Sequence, residues 1–341
     1  MGVVAAFRRK TPTFSSVESV TSFRAVLRAI VQNVPNVRVL AEASGPLERL
    51  PVNAEFPHIV DAAGVEDATF HARLVPGGAP NAGPRFHAFL DGVQESRVMG
   101  RLDLAPIVYG TVAAAIRVRA DRRLTCWRPP VVERRVYAPL AFVDRDALHK
   151  AVPGALRDTT PRDDHSPPPS AHPLELLERA RNAVSRDRDA VEQLVAGTWC
   201  ATEHSPLFVD GGIGASEIVA RSPLCVGVVK SHLALYANGE ALRTVLRLGC
   251  GERSSVFRIA PRGRSSVHSW YLRVRNNANR DALWGLVRIE VAESDDPGAR
   301  ADEVSRWVLA ETEPNSMPDA RWDRLAYGVR NCEEFLRAVT T

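Results

Sequence analysis

Two stretches far apart in the chain run an apolar segment straight into Asp-Gly: HAFLDG at 87–92 and PLFVDGG at 206–212. Each reads as a short buried strand ending in a turn, where aspartate caps its own backbone and glycine supplies positive φ. The same strand end is also a rigid mount for a carboxylate. Two such mounts brought to one place would make an oxygen-donor site for a hard divalent cation.

The segments between and around them fix the fold class. APIVYGTVAAAIRVRADRR (105–123) follows the first copy as a long strand, giving a hairpin-like pair, and VVERRVYAPLAFV (131–143) is a third strand. PLCVGVVKSHLALY (223–236) follows the second copy as a buried strand, by its continuous apolar run. SSVFRIA, SWYLRVR and WGLVRIEVAE complete the set. In SWYLRVR, Tyr271, Arg273 and Arg275 share one face, and Trp270, Leu272 and Val274 the other.

Helical periodicity appears at VTSFRAVLRAIVQNV (20–34), closed by Pro35, and at LELLERARNAVSRDRDAVEQLV (174–195), with Leu177, Val184, Val191 and Val195 on one face. It returns at DARWDRLAYGVRNCEEFLRAV (319–339), with Trp322, Leu325, Ala326, Val329, Cys332 and Leu336 inward. This order predicts an α/β protein, a mixed sheet flanked by helices. A helical and linker insertion is centred on the proline-rich segment 151–173. Residues 1–84 read as an N-terminal helix and loop-rich region packing on a core formed by 85–341.

Composition excludes more than it selects. With 45% apolar and 25% charged residues, the chain has the profile of a globular protein. No apolar run approaches a membrane span, and the N-terminus places its apolar residues before its charges, the reverse of a secretory leader. The five cysteines form no C-x-x-C pair, so neither a zinc site nor a disulfide framework is indicated. A cytoplasmic protein is expected. The net charge of +4 permits a nucleic-acid partner without arguing for one.

GVVKS lacks the spacing of a P-loop, and no G-x-S-x-G elbow or G-x-G-x-x-G fingerprint is present, which sets aside ATPase, hydrolase-triad and dinucleotide readings. The nine histidines show no metal-ligand spacing. What remains is carboxylate chemistry. Asp91 and Asp210 are the candidate metal ligands. Glu192, Glu203 and Glu290 are candidates for a third carboxylate, with Glu192 preferred because its helix leads into the second Asp-Gly. Lysine occurs only at Lys10, Lys150 and Lys230. Lys230, at the end of CVGVVK, suits a point-charge contact to a phosphate. The arginine pairs 117/119, 262/264 and 273/275 are candidate DNA contacts, with Tyr271 or Trp270 available for stacking.

Taken in order, FLDG with a strand pair, the helix carrying Glu192, LFVDGG, VGVVKS, WYLRVR…WGLVRIEV and RLAYGV resemble the NurA nuclease family, partners of HerA-type hexameric ATPases. The resemblance spans about residue 85 to the end. It implies an RNase H-like core and a homodimer that cleaves DNA with Mn²⁺ or Mg²⁺, in DNA repair or antiviral defence. It implies Asp91, Asp210 and Glu192 as metal-site acids and Lys230 as a phosphate contact. Two positions depart from the family pattern: Val93 stands where Ser is common, and Ala326–Tyr327 where Ala-His is common. Tyr327 is a poorer proton carrier than histidine at neutral pH. A NurA-like scaffold that binds DNA beside the translocase without cutting is therefore the second expectation, and a related nuclease acting on RNA the third.

Overall fold

The computed structural model describes residues 22–39, 57–77, 86–121, 123–160, 172–260, 263–312 and 326–340. The chain is a mixed α/β protein. Its principal elements are α1 (Phe23–Asn33), β1 (Ala88–Leu102), β2 (Ala105–Ala120), β3 (Val131–Ala138), α2 (Arg145–Ala151), α3 (Pro173–Thr202), β4 (Leu207–Asp210), β5 (Cys225–Val229), β6 (Val267–Arg273), β7 (Leu286–Val291), α4 (Pro297–Thr312) and α5 (Tyr327–Thr340). They belong to two compact units, 1–47 with 97–110 and 133–180, and 48–96 with 111–132 and 181–341. These do not follow the 1–84 and 85–341 boundary expected from the sequence, because β1 and β2 each run from one unit into the other.

In the first unit, α1 begins where Ser22, itself extended, accepts a hydrogen bond from the Ala25 N–H at 3.2 Å as an N-cap. Its apolar stripe, Val26, Ile30 and Val34, packs with Met99, Ile107 and Tyr109 from the strands and Leu148 and Val152 at α2. Of the periodic segment 20–34, residues 23–33 form the expected helix, and 20–21 lie outside the described residues.

In the second unit the strands run in the order β6-β7-β5-β4-β1-β2. β4 is parallel to both β1 and β5, while β5 with β7 and β7 with β6 are antiparallel. One face carries Phe89, Phe208, Val226, Val228, Trp270 and Ile289, packed against Ala301, Val304 and Val308 of α4 and Val329 and Cys332 of α5. Trp270 buries its ring and donates its indole N–H to Ser305 Oγ at 2.9 Å, so the one polar atom it carries inward is satisfied.

Three expectations are corrected here. Asp91–Gly92 is not a turn: β1 passes straight through both residues and reverses only at Asp103, whose φ of 51° makes the link to β2. Hydrogen-bonded neighbours on both sides, β4 and β2, keep this segment extended despite its local turn chemistry. SWYLRVR presents no solvated face, since residues 269–274 are buried and Arg275 is half-buried. The last helix starts at Tyr327, later than its sequence pattern suggested, and Trp322 and Leu325 lie outside the described residues. Among the described residues, no helix is long and apolar enough to cross a membrane.

Candidate active site

The Asp-Gly copies prove to be neighbours. β1 and β4 pair in parallel with Leu207 opposite Ala88, Phe208 opposite Phe89 and Val209 opposite Leu90. One further residue of the same register sets Asp210 beside Asp91. The similarity of AFLD and LFVD is therefore a match between adjacent strands, whose backbones lie about 5 Å apart. β4 ends at Asp210, and Gly211, at φ 137°, turns the chain away in a conformation that suits glycine.

Strand alternation then sorts the side chains. Asp91 shares a face with Phe89, Asp210 with Phe208, and Lys230, one residue past β5, with Val226 and Val228. These three line a small cavity of 40 Å³ together with Val308 of α4 and Val329, Arg330 and Glu333 of α5. Lys230 Nζ donates to Asp210 Oδ2 at 2.7 Å. Asp91 Oδ1 accepts the Gly92 N–H at 2.8 Å.

Glu192 approaches from the opposite face. On α3, Val184, Val191, Val195 and Trp199 are buried, and Arg188 and Glu192 share that inward stripe. A β-carbon added at Gly92 would lie 2.1 Å from Glu192 Oε1, so only glycine lets this carboxylate in. Arg188 Nε sits 3.3 Å from Glu192 Oε1 as an ion pair, and its Nη2 donates to Asp189 Oδ1 at 2.8 Å. On this side a cavity of 230 Å³ is walled by Arg188, Asp189, Glu192, Asp210 and the 211–216 loop, with Arg264. Asp210, at the strand end, borders both cavities.

The electrostatics follow from crowding. Burial pushes the Asp91 carboxyl well above the usual range, with Asp210 and Glu192 adding to it, against the opposing Gly92 N–H and Lys230. Burial likewise raises Glu192 from an ordinary 4.5 to about 7; Arg188 opposes this, and Asp189 and Asp210 reinforce it. Oxygen-only donors carrying more negative charge than their surroundings offset suit Mg²⁺ or Mn²⁺. Asp91 and Asp210 fit that role as a same-face pair. Glu192 does not join them: among the described residues, no group of three or more His, Cys, Asp and Glu is arranged to hold a metal. The strand between them is the reason.

The remaining candidates are placed as follows. Glu290 accepts from the Ile213 N–H at 2.8 Å and from Arg288 at 2.5 Å, so it anchors the loop after Asp210 rather than facing a ligand. Glu203 accepts from the Trp127 indole at 2.9 Å. Tyr327 is 52% exposed and lines neither cavity. Val93 packs with Ala113, Ala115 and Leu336.

Of the arginines expected on a DNA face, Arg117, Arg119, Arg273 and Arg275 are committed internally, while Arg264 is exposed. Arg273 is completely buried and donates to the carbonyls of Leu246, Leu248, Ala282 and Trp284. Arg119 forms a bidentate pair with buried Glu311 at 2.7 and 2.8 Å. Arg117 reaches Asn331 and the Leu124 carbonyl, and Arg275 the Thr312 carbonyl. The expected stacking residues are inside too: Tyr271 and Trp270 are fully buried. Arg262 lies outside the described residues. Sequence reasoning passed over Arg188, though an arginine four residues before Glu192 on one helix was visible as a pair. It also passed over Arg330, one turn into α5. No protein-family model matches the chain, and no curated protein matches it.

Proposed function

We propose that this chain is a divalent-metal-dependent nuclease acting on DNA, of the NurA type, working as a homodimer with a HerA-like hexameric ATPase. The observation that carries it is the in-register pair Asp91–Asp210 on adjacent parallel strands, with Lys230 at the end of the next strand. Ligand sites in such sheets favour the carboxyl ends of parallel strands, where Asp210 and Lys230 stand. The dimer, the motor and a role in end processing or defence rest on the resemblance alone, as does the RNase H-like assignment of the core.

In this reading Asp91 and Asp210 hold Mg²⁺ or Mn²⁺, which when bound activates water and offsets charge on the leaving oxygen. Lys230 exchanges its bond to Asp210 for a phosphate oxygen of the substrate, a point charge moving from one anion to another. Glu192, behind β1, acts on the aspartate pair through its charge rather than as a third ligand or a proton carrier. Arg188 keeps that carboxylate oriented.

A second reading, a scaffold that binds DNA without cutting, is favoured by Tyr327 standing outside both cavities and by Lys230 already neutralising Asp210. The deciding experiment incubates purified protein, with and without its ATPase partner, with linear DNA across Mg²⁺ and Mn²⁺. Chelator-sensitive cleavage that disappears in Asp91→Asn and Asp210→Asn is expected. Binding without cleavage under every condition selects the scaffold, and cleavage unchanged in both variants removes the site assignment.

A further inference from the structure

The cavity on the Glu192 side of Asp210 is much the larger of the two, 230 Å³ against 40 Å³. Its two cations differ. Arg188 is spent on Glu192 and Asp189. Arg264 is exposed, lines the cavity, and has no ion-pair partner among the described residues. It is also held in place. The Ser265 N–H donates to the Gly214 carbonyl at 2.9 Å, tying the turn of Arg264 to the 211–216 loop. That loop is pinned in turn by Glu290 through the Ile213 N–H, and Glu290 by Arg288. The turn that carries Arg264 is therefore braced at its backbone, and the side chain lines one cavity with Asp210, Ser216 and the glycines at 211 and 212.

An exposed guanidinium and a serine hydroxyl lining one cavity offer the donors that recognise a phosphate. The volume limits what can enter, being below the roughly 300 Å³ at which sites for drug-sized ligands begin. It suits one sugar–phosphate unit of a single strand, not a duplex. We propose that Arg264 anchors the phosphodiester next to the one engaged at Asp91 and Asp210, so that a single DNA strand crosses Asp210 from one cavity to the other. This assignment rests on the nuclease reading for its ligand, but it concerns binding and not cleavage.

The test measures fluorescence anisotropy of a labelled single-stranded oligodeoxynucleotide with the full chain in EDTA, across a salt series. The variants are Arg264→Ala, Arg264→Lys and the surface control Arg243→Ala, whose side chain pairs with Glu240 on its own helix. Arg264→Ala should weaken binding about tenfold, the worth of one charged hydrogen-bonding contact. It should also reduce the salt slope by about 0.7, one phosphate contact to a single strand. Arg264→Lys should restore the slope but only part of the affinity, and Arg243→Ala should match wild type. Wild-type binding with an unchanged Arg264→Ala curve overturns the subsite and leaves the nuclease reading standing. Binding through Arg264 without cleavage in any metal keeps the subsite and removes the nuclease reading. No DNA binding by the wild type overturns both.

Discussion

Replacing Glu192 with glutamine should make the protein more stable, and only above about pH 5. Glu192 is raised from 4.5 to about 7, burial being the first cause, with its side chain only 17% exposed. Below pH 4.5 the carboxyl is protonated in both folded and unfolded chains and costs nothing. Between 4.5 and 7 the unfolded chain releases its proton while the folded chain retains it. The folded state then binds more protons, so stability falls as pH rises, and the loss is complete above 7. At 1.36 kcal/mol per pH unit the gap amounts to about 3 kcal/mol. Glutamine keeps the shape, stays neutral, and escapes that loss. Urea unfolding of both proteins at closely spaced pH values from 4.5 to 8, in EDTA, gives the difference directly. Glu192→Gln minus wild type should climb by up to about 3 kcal/mol across the window and level off near pH 8. A flat difference would refute the claim that burial keeps the Glu192 carboxyl protonated in the folded chain. Mn²⁺ adds a second arm: an ion held at Asp91 and Asp210 offsets the smaller contribution of Asp210, so the climb should shrink when Mn²⁺ replaces EDTA.

Three other perturbations probe separate parts of the second unit. Gly92→Ala places a methyl group 2.1 Å from Glu192 Oε1 and 2.7 Å from its Cγ, and should cost about 1–3 kcal/mol in urea unfolding. The cost should be largely relieved in a Glu192→Ala background, and equal costs in both backgrounds would show that Glu192 does not occupy that space. Arg273→Met leaves four carbonyls without their donor and should lose at least about 3 kcal/mol; a variant as stable as wild type would contradict its buried structural role. Cys200 is lowered to about 7 by the hydrogen bond from the Cys225 thiol, with burial opposing and the Ser222 hydroxyl assisting, while Cys225 is pushed up. At pH 7 iodoacetamide should therefore label Cys200 well before Cys225 and Cys332 in a peptide map, and Cys225→Ala should slow that labelling.

Local pattern carried the elements whose partners are short-range. The 23–33 helix was legible because its stripe and Pro35 lie within one window, and α3 because its periodicity is long. What pattern could not supply was the identity of distant partners. SWYLRVR alternates polar and apolar residues as a solvated strand does, yet Arg273 is sealed inside by carbonyls from 246–248 and 282–284. Arg119 likewise answers to Glu311, nearly two hundred residues on. In a chain whose cations are almost all arginine, such internal forks and a nucleic-acid face read identically.

The Asp-Gly repeat was legible as a pair, but its meaning depended on register. AFLD and LFVD resemble each other because they occupy equivalent positions on adjacent parallel strands, which puts Asp91 and Asp210 on one face. Register also decides what the third acid can do. A helix residue has no face of the sheet assigned by its own sequence, so Glu192 could be preferred as the third acid only from its helix leading into the second Asp-Gly. The structure brings it to Gly92, the residue whose missing side chain opens the back of β1, and a pleat separates it from the aspartate pair. A carboxylate in that position is raised to about 7 chiefly by its burial, with Asp189 and Asp210 adding to it, and does not share the pair's ligand geometry. Glycine after the first aspartate is thus required for Glu192 to enter, and glycine after the second for the chain to leave Asp210 at positive φ: the same dipeptide serves close approach in one strand and a turn in the other.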